Sequence, residues 1–282
     1  MMKYRKLLTC FLASTSTVFF SSQAFATVFE APADDQSDRY SVGIEGFHDH
    51  YFEPQTQVTD SADYGGVTAD WTHAAPFHDQ DRFLFGLDGE FAHGTDSYRS
   101  PSGIADGASQ DAFDGRVLTG IEFGAFPGGS FSPYIGLGVR YYVDNGKGEV
   151  TNLGFHGYDR RITQVYFPMG ITYSHPFGDG WSLTPNIEFD QLIQGDVNSR
   201  LQNIPGGYNV NNTQSHNGYG LRAEMLVGKQ LNKVTIEAGP FIRYWNFSDS
   251  NFVVTPGLPP GYGWVEPSNT RVQYGGEIKI SW

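Results

Sequence analysis

The feature that most constrains the fold is a strict alternation of two kinds of side chain in the C-terminal segment. Between residues 271 and 282, one parity reads Val272, Tyr274, Gly276, Ile278, Ile280 and Trp282, and the other reads Arg271, Gln273, Gly275, Glu277, Lys279 and Ser281. Successive side chains of a β-strand point to opposite faces. The pattern therefore predicts a strand with one apolar face and one polar, charged face.

The same alternation recurs along the chain, and no segment is typical of an amphipathic helix or has about 20 consecutive apolar residues. The alternating segments are 40–51, 64–73, 82–92, 115–125, 132–144, 161–174, 181–193, 219–227, 233–245 and 271–282. Strands of about 9–11 residues cross a bilayer when tilted, with only one face toward lipid. The prediction is an all-β, transmembrane, antiparallel up-and-down barrel of about ten strands, with eight or twelve less favoured.

The connecting segments alternate between short and long. Segments 76–81, 127–130, 176–180 and 230–232 are short, whereas 95–111, 146–159, 195–216 and 248–269 are longer, and 53–62 is the shortest of the longer set. Short periplasmic turns and long outer loops are typical of outer-membrane barrels. An even number of strands then predicts both termini on the periplasmic side. Proline cannot donate to a strand ladder, so Pro168, Pro185 and Pro240 are predicted to mark bulges or kinks.

A water-soluble β-sandwich also alternates, with one face toward its core, and it is the main alternative fold. Two observations disfavour it. The apolar row is almost free of charge, and aromatic residues cluster at the row ends, as in the girdles of membrane barrels. The lower set is Phe83, Phe123, Tyr173, Trp181 and Trp282, and the upper set is Phe91, Tyr141, Tyr219 and Tyr244.

The N-terminus is typical of an export signal. Three basic residues in the first six positions precede an apolar stretch over 7–20 and the small-x-small site Ala24-Phe25-Ala26. We expect residues 1–26 to be a signal peptide, 27–38 a short polar periplasmic lead and 39–282 the barrel. A lipoprotein signal at Cys10 and an amphipathic helix are less favoured alternatives. Cleavage would remove Cys10, the only cysteine, which excludes disulfides and thiol chemistry from the mature chain.

Charge argues against a nucleic-acid partner. The chain has 18 basic and 31 acidic residues, and the signal segment carries three of the basic and none of the acidic ones. The mature chain therefore keeps 15 basic residues and a formal net charge of −16, which repels polyanions.

The sequence resembles the small outer-membrane barrels of the opacity-porin and OmpA-like type. The resemblance rests on the signal, on the segment Tyr134-Ile-Gly-Leu-Gly-Val-Arg-Tyr141 and on the closing Ile278-Lys-Ile-Ser-Trp282. It implies a location in the outer membrane, contact with its lipid, and a terminal aromatic residue, Trp282, that the barrel-assembly machinery reads during biogenesis. It carries no functional motif at the level of single residues.

The inward row collects charges of both signs. The acids are Glu45, Asp49, Asp70, Asp88, Glu90, Glu122, Asp144, Glu188, Asp190, Glu224, Glu237 and Glu277, and the bases are Arg116, Arg140, Arg222, Arg243, Arg271 and Lys279. Buried charges must pair or meet water, and side chains largely fill a barrel of eight to ten strands. A structural core of ion pairs is the favoured interpretation, and a narrow path that favours cations is the alternative.

Enzymatic interpretations are weaker, and we expect no catalysis, no cofactor and no metal. An omptin-like hydrolase needs facing Asp-Asp and Asp-His pairs near the outer rim, and only His48-Asp49-His50, Asp144 and Asp190 offer candidates. Alternation sends both histidines to one face and Asp49 to the other, which disfavours a metal site there. Gly-, Asn- and Tyr-rich loops, as at 206–212 and 257–264, suit adhesion. An extracellular partner could therefore bind loops 195–216 and 248–269.

Overall fold

The computed structural model describes residues 29–31, 37–126, 128–204, 206–207, 209–213, 217–254 and 261–282. Strands dominate this part of the chain. They are β1 (Asp38–Glu53), β2 (Val58–His78), β3 (Asp81–Ser100), β4 (Gly103–Phe126), β5 (Gly129–Asn145), β6 (Asp159–Phe177), β7 (Trp181–Arg200), β8 (Asn209–Thr213), β9 (Gly218–Leu231), β10 (Val234–Phe247), β11 (Val253–Val254), β12 (Gly263–Trp264) and β13 (Asn269–Ser281). A 3₁₀ turn at Leu201–Asn203 follows β7. Among the described residues, no helix is long and apolar enough to cross a membrane.

Ten of these strands form a closed antiparallel barrel, which confirms the predicted fold class and strand number. Each barrel strand pairs with its neighbour in sequence, and β1 pairs with β13 to close the ring, with Val42 opposite Ile280 and Glu45 opposite Glu277. Hydrogen bonds in both directions between Tyr40 and Trp282 (3.0 Å each) complete the seam at the end of the barrel where the short turns lie. We call this end the turn end and the opposite one the loop end.

The two rows separate as the alternation predicts. Outward residues include Val67, which is 52% exposed, and Ile187, which is 67% exposed. Aromatic rings flank this apolar band, with Tyr40 stacked on Trp282 near the turn end and Tyr219 against Tyr244 toward the loop end. The apolar surface of the barrel is therefore on the outside, opposite to the arrangement in a water-soluble sandwich.

Of the three prolines predicted to mark bulges, Pro168 lies two residues from a register shift between Val165 and Tyr166 in the ladder to β7, whereas Pro185 and Pro240 have none beside them. Beside Pro168, Pro185 and Pro240, one of the two flanking ladders lacks paired residues, but the register continues unchanged across each gap. A proline has no N–H for the ladder on that side, whereas the other ladder still holds the strand in place. Register shifts also occur elsewhere, as between Thr95 and Ser97.

Two segments predicted as loops are largely strand. β3 and β4 continue through most of 95–111 and meet in a tight turn at Ser100–Gly103, and β1 and β2 likewise extend into 53–62. Both faces of these extensions carry mainly polar residues, because the extensions project beyond the apolar band. Hydrophobic periodicity therefore misses them. Segments 195–216 and 248–269 also contain structure, namely the end of β7 with β8, and the β11–β12 hairpin.

The segment predicted as a polar periplasmic lead contributes residues to the barrel itself. Phe29 is only 3% exposed, and Glu30 and Ala31 also lie among barrel side chains. Part of the segment predicted as a lead, residues 29–31, thus lies inside the barrel. Burial of the Phe29 ring removes apolar surface from water, and this favours docking of the segment inside the barrel over a solvated lead. The predicted signal peptide and its cleavage site lie outside the described residues.

Candidate functional site

The inward faces of the barrel strands enclose a lumen, and ion pairs cross it at mid-height. Arg116 on β4 donates from Nε to Asp88 (2.9 Å) and from Nη1 to both oxygens of Glu188 (2.7 and 2.8 Å). Arg222 on β9 donates to Asp190 (2.8 Å) and contacts Glu188 at 3.2 Å. Two arginines and three carboxylates thus connect β3 and β4 with β7 and β9 through the centre of the barrel.

Asp114 extends this network, although the sequence analysis did not single it out. It accepts hydrogen bonds from Arg222 (2.7 Å) and from the Tyr166 hydroxyl (2.6 Å), and Arg140 lies 3.4 Å away. Its parity on β4 is that of Arg116, so alternation could have found it had the predicted strand begun earlier.

Arg243 forms a second crossing connection closer to the seam. It donates to Glu90 (2.8 Å) and Glu45 (3.3 Å), and its guanidinium group lies 4.3 Å from the centre of the Phe241 ring. This buried arginine therefore has both charged partners and an aromatic face, as a desolvated guanidinium group needs.

The turn end holds a third group of charges. Arg39 donates to Glu237 (2.5 Å) and pairs with Glu30 (2.7 Å). Lys279 is 1% exposed and is attracted by the carboxylates of Glu237 and Glu277. The predicted inward charges also include Asp70, Glu122 and Glu224, of which Glu122 is paired with Arg82. All the charges predicted for the inward row are buried or half-buried in the structure.

Aromatic rings fill the space between these charges, and nearby glycines, some of them directly opposite a ring on the neighbouring strand, make room for them. A side chain at Gly86 would come within 2.6 Å of the Phe29 ring, and one at Gly220 within 2.8 Å of Trp245. Phe29 also packs edge-on against Tyr134, with ring centres 5.1 Å apart. These glycines therefore serve close packing rather than an open channel.

Little empty space remains around the arginines at mid-height. The cavity between Arg116, Arg222 and Arg243 has a volume of about 10 Å³, roughly the volume that one water needs. A vestibule of about 870 Å³ opens at the turn end and is lined by Glu30, Arg39 and other polar groups. The charged network and the aromatic rings thus separate this vestibule from the loop end.

A small pocket occupies the loop end, and two loops form its roof. Its volume is about 50 Å³, and its lining includes Tyr51, Glu53, Asp60, Asp144 and the loop residue Glu266. The Tyr51 hydroxyl donates to Glu53 (2.6 Å) and more weakly to Glu266 (3.4 Å).

Arg160 supplies the positive charge in this pocket. It forms a very short hydrogen bond and ion pair with Glu266, and its guanidinium carbon lies 6.0 Å from the centre of the Tyr51 ring. Burial raises the pKa of the Glu266 carboxyl to about 7, and the attraction of Arg160 opposes this shift. The loop residues therefore join the lumen through a carboxyl group that titrates near neutral pH.

The sequence analysis placed several members of this pocket in loops and did not list them as inward charges. Asp60 and Asp96 lie on the extended parts of β2 and β3, and Gln110 donates to both at 2.8 Å. Only the parity of the strand extensions could have located them. No sequence pattern indicates that Glu266 reaches this pocket, because its position depends on how the loop folds back.

The residues considered for hydrolysis or metal binding do not come together. His48 and His50 face outward, where they contact Asp63 and Ser61 at 2.9 Å each. Asp49 faces inward and accepts a hydrogen bond from Gln273 (2.6 Å). Within the described ranges, no group of three or more His, Cys, Asp or Glu side chains is arranged to hold a metal ion.

Comparison with solved structures agrees with this architecture. The outer membrane protease OmpT from Escherichia coli is similar with a TM-score of 0.53 and 9% identity, over 89% of this chain and 97% of that chain. The translocator domain of the autotransporter NalP from Neisseria meningitidis gives a TM-score of 0.44 at 9% identity, over 89% and 90%. The toluene transporter TodX from Pseudomonas putida gives 0.38 at 8% identity, over 89% and 90%.

The likeness to OmpT shows that the chain has an outer-membrane β-barrel fold, here with ten strands and a lumen filled by side chains. No protein-family model matches the sequence, and no curated protein matches it significantly. The chain is therefore placed by its fold, and its role has to be argued from the lumen and the loop end.

Proposed function

We propose that the protein is an integral outer-membrane barrel with a sealed lumen, which serves a structural or surface-interaction role and performs no catalysis. The observation that carries this proposal is the ion-pair network across the lumen, with Arg116, Arg222 and Arg243 each bridging carboxylates from different strands. A filled interior favours the kind of function ascribed to small opacity-porin and OmpA-like barrels over that of a wide porin.

The proposal includes an orientation. The outward apolar band contacts outer-membrane lipid, both termini lie on the periplasmic side, and the loop end faces the outside of the cell. Trp282, which closes the seam against Tyr40, acts as the signal read by the barrel-assembly machinery. An extracellular partner then meets the segments 195–216 and 248–269, of which residues such as Asn212 and Glu266 line the loop-end pocket.

The absence of catalysis is supported by geometry. Asp190 is bound by Arg222, and neither His48 nor His50 shares the lumen with it, so the facing pairs of an omptin-like hydrolase are missing among these candidates. Hydrolysis of peptide and ester substrates by the refolded barrel, and by its Asp49→Asn and Asp190→Asn variants, should be equally absent. A peptidase activity that either substitution abolishes would contradict this part of the proposal.

Planar-bilayer recording tests the sealed lumen. The refolded wild-type barrel should give no unitary conductance steps at high protein load, whereas a variant with Arg116, Arg222 and Arg243 all changed to alanine should give them. The alanine variant shows that the assay would detect an open path. Cation-selective steps from the wild type would support the narrow-pore alternative and overturn the sealed barrel.

A further inference from the structure

We propose that the loop-end pocket is a binding site for a small organic cation, an ammonium or guanidinium group that enters from the loop end. The group could be a free amine or the side chain of a partner's basic residue, since both present the same chemistry. This inference deepens the proposed surface role and rests on it for the direction from which the ligand arrives.

The first argument is charge. Four carboxyl groups line the pocket, those of Glu53, Asp60, Asp144 and Glu266, against the single guanidinium group of Arg160. Arg160 is already paired with Glu266. Burial raises the pKa of Asp60 to about 6 and that of Asp144 to about 8, and a bound cation would favour the ionised form of both carboxyl groups.

The second argument is independent of charge and comes from unused hydrogen-bond acceptors. Asp144 Oδ1 and Asn212 Oδ1 are buried and accept no hydrogen bond. Asn212 is only 3% exposed and lines the same pocket. Buried acceptors without a donor are costly and rare in folded proteins. A ligand with several N–H groups could donate to both acceptors, and an anion or an apolar molecule could donate to neither.

The third argument is the shape and lining of the pocket. The lining of the pocket also includes the aromatic side chains of Tyr51, Tyr98, Tyr158 and Trp264. Faces of such rings attract cations within about 6 Å of the ring centre. The volume of about 50 Å³ corresponds to a few water-sized groups, which suits a single cationic head group rather than a sugar or a peptide backbone.

The arrangement favours an organic cation over a metal ion. The unused acceptors, on Asp144 and Asn212, come from two different strands, β5 and β8, and aromatic residues line the same pocket. A calcium ion needs six to eight oxygens at about 2.3–2.6 Å from one point. A guanidinium or ammonium group spreads its N–H donors over several directions and tolerates aromatic walls, as this lining requires.

Isothermal titration of the refolded full-length mature barrel in detergent micelles tests the site. The probes are ethylguanidinium, ethylammonium, calcium and ethylurea, the last being a neutral molecule of the same shape as ethylguanidinium. We expect both cations to bind and ethylurea to bind at least ten-fold more weakly. This comparison uses the wild-type protein, so it does not depend on how any variant folds. Equal binding of ethylurea, or binding of calcium alone, would overturn the site.

A matched pair of variants on one strand locates the binding. Asp60→Asn removes a carboxylate inside the pocket, and Asp63→Asn removes one three residues away on the outer face of β2, where the side chain is 90% exposed. Affinity for ethylguanidinium should fall at least ten-fold in Asp60→Asn and stay unchanged in Asp63→Asn. Equal effects would show that the cation binds the general negative surface, and would overturn the proposal.

The two proposals fail in different ways. Conductance by the wild-type barrel would refute the sealed lumen and leave the cation site to be judged by titration. Absence of cation binding by a non-conducting barrel would refute the site and leave the sealed lumen standing.

Discussion

Single side chains in this barrel are held by partners on distant strands, so the consequences of replacing them are specific. The guanidinium group of Arg116 neutralises Asp88 and Glu188, which lie on two other strands and are both buried. Removing one partner of a buried ion pair leaves an uncompensated charge, which costs more than the pair contributes when intact.

The variant Arg116→Leu should therefore lose about 3–5 kcal/mol of unfolding free energy. Urea-induced unfolding in lipid vesicles, followed by tryptophan fluorescence, measures this loss. The outward Arg99→Leu variant is the control and should change stability by less than about 0.5 kcal/mol. Equal losses would show that Arg116 is solvated rather than part of a sealed core.

Phe29 provides a second test at this scale. Its ring fills the space opposite Gly86 and Gly120, so Phe29→Ala should cost about 3–5 kcal/mol, as other buried phenylalanines do. Phe77, also near the turn end, is 60% exposed, and Phe77→Ala should have little effect. The same unfolding assay decides between a docked and a solvated N-terminal segment. Equal stability of Phe29→Ala and wild type would contradict the docking.

At the scale of strands, the alternation of side chains predicted the membrane-crossing strands but not their polar extensions. The membrane-crossing strands were predictable because lipid demands an apolar row and the lumen a polar one, as β13 illustrates. The upper parts of β3 and β4 were not, because both of their faces are polar. The docking of Phe29 and the inward fold of Glu266 depend on tertiary contacts, which no local pattern records.

The outward row carries its own prediction. Ile187 lies in the apolar band, and Ile187→Arg places a charge in lipid, which should cost about 2–4 kcal/mol near the midplane of the bilayer. Thr95→Arg, on the outer face of β3 beyond this band, should cost much less. The folding yield into vesicles and the free energy of unfolding measure the effect of both substitutions. A harmless Ile187→Arg would mean that this face meets water.

At the scale of the whole molecule, loops and barrel form one unit at the loop end, and its closure should depend on pH. Glu266 faces Arg160, Glu53, Tyr51 and Tyr158, and burial raises its pKa to about 7. A carboxyl pKa that is higher in the folded protein means that the protonated form is preferred there. The stabilising contribution is complete below about pH 4.5 and is lost as pH rises through 7.

Limited proteolysis of segment 248–269 should therefore be slow at pH 5 and faster at pH 8. In Glu266→Gln, which cannot ionise, the rate should stay low at both values after correction for the protease's own pH dependence. The affinity for ethylguanidinium should change in the opposite direction to the stabilising contribution of Glu266 and rise with pH. Below pH 8 a proton must leave Asp144 first, because burial raises the pKa of that carboxyl to about 8, so affinity falls by up to ten-fold per pH unit. A cleavage rate in wild type that does not change with pH would contradict this coupling.

Cysteine accessibility tests the central claim of an outward apolar row around a sealed lumen, and the mature chain predicted here has no cysteine of its own. Thr68→Cys, inward and 5% exposed, is compared with its neighbour Val67→Cys, outward and 52% exposed, and with the loop variant Gly148→Cys. A water-soluble maleimide should label only the loop cysteine in lipid vesicles, and a lipid-soluble one should also label the cysteine at 67. Rapid water-soluble labelling at 68 would show an open lumen, and at 67 a soluble sandwich.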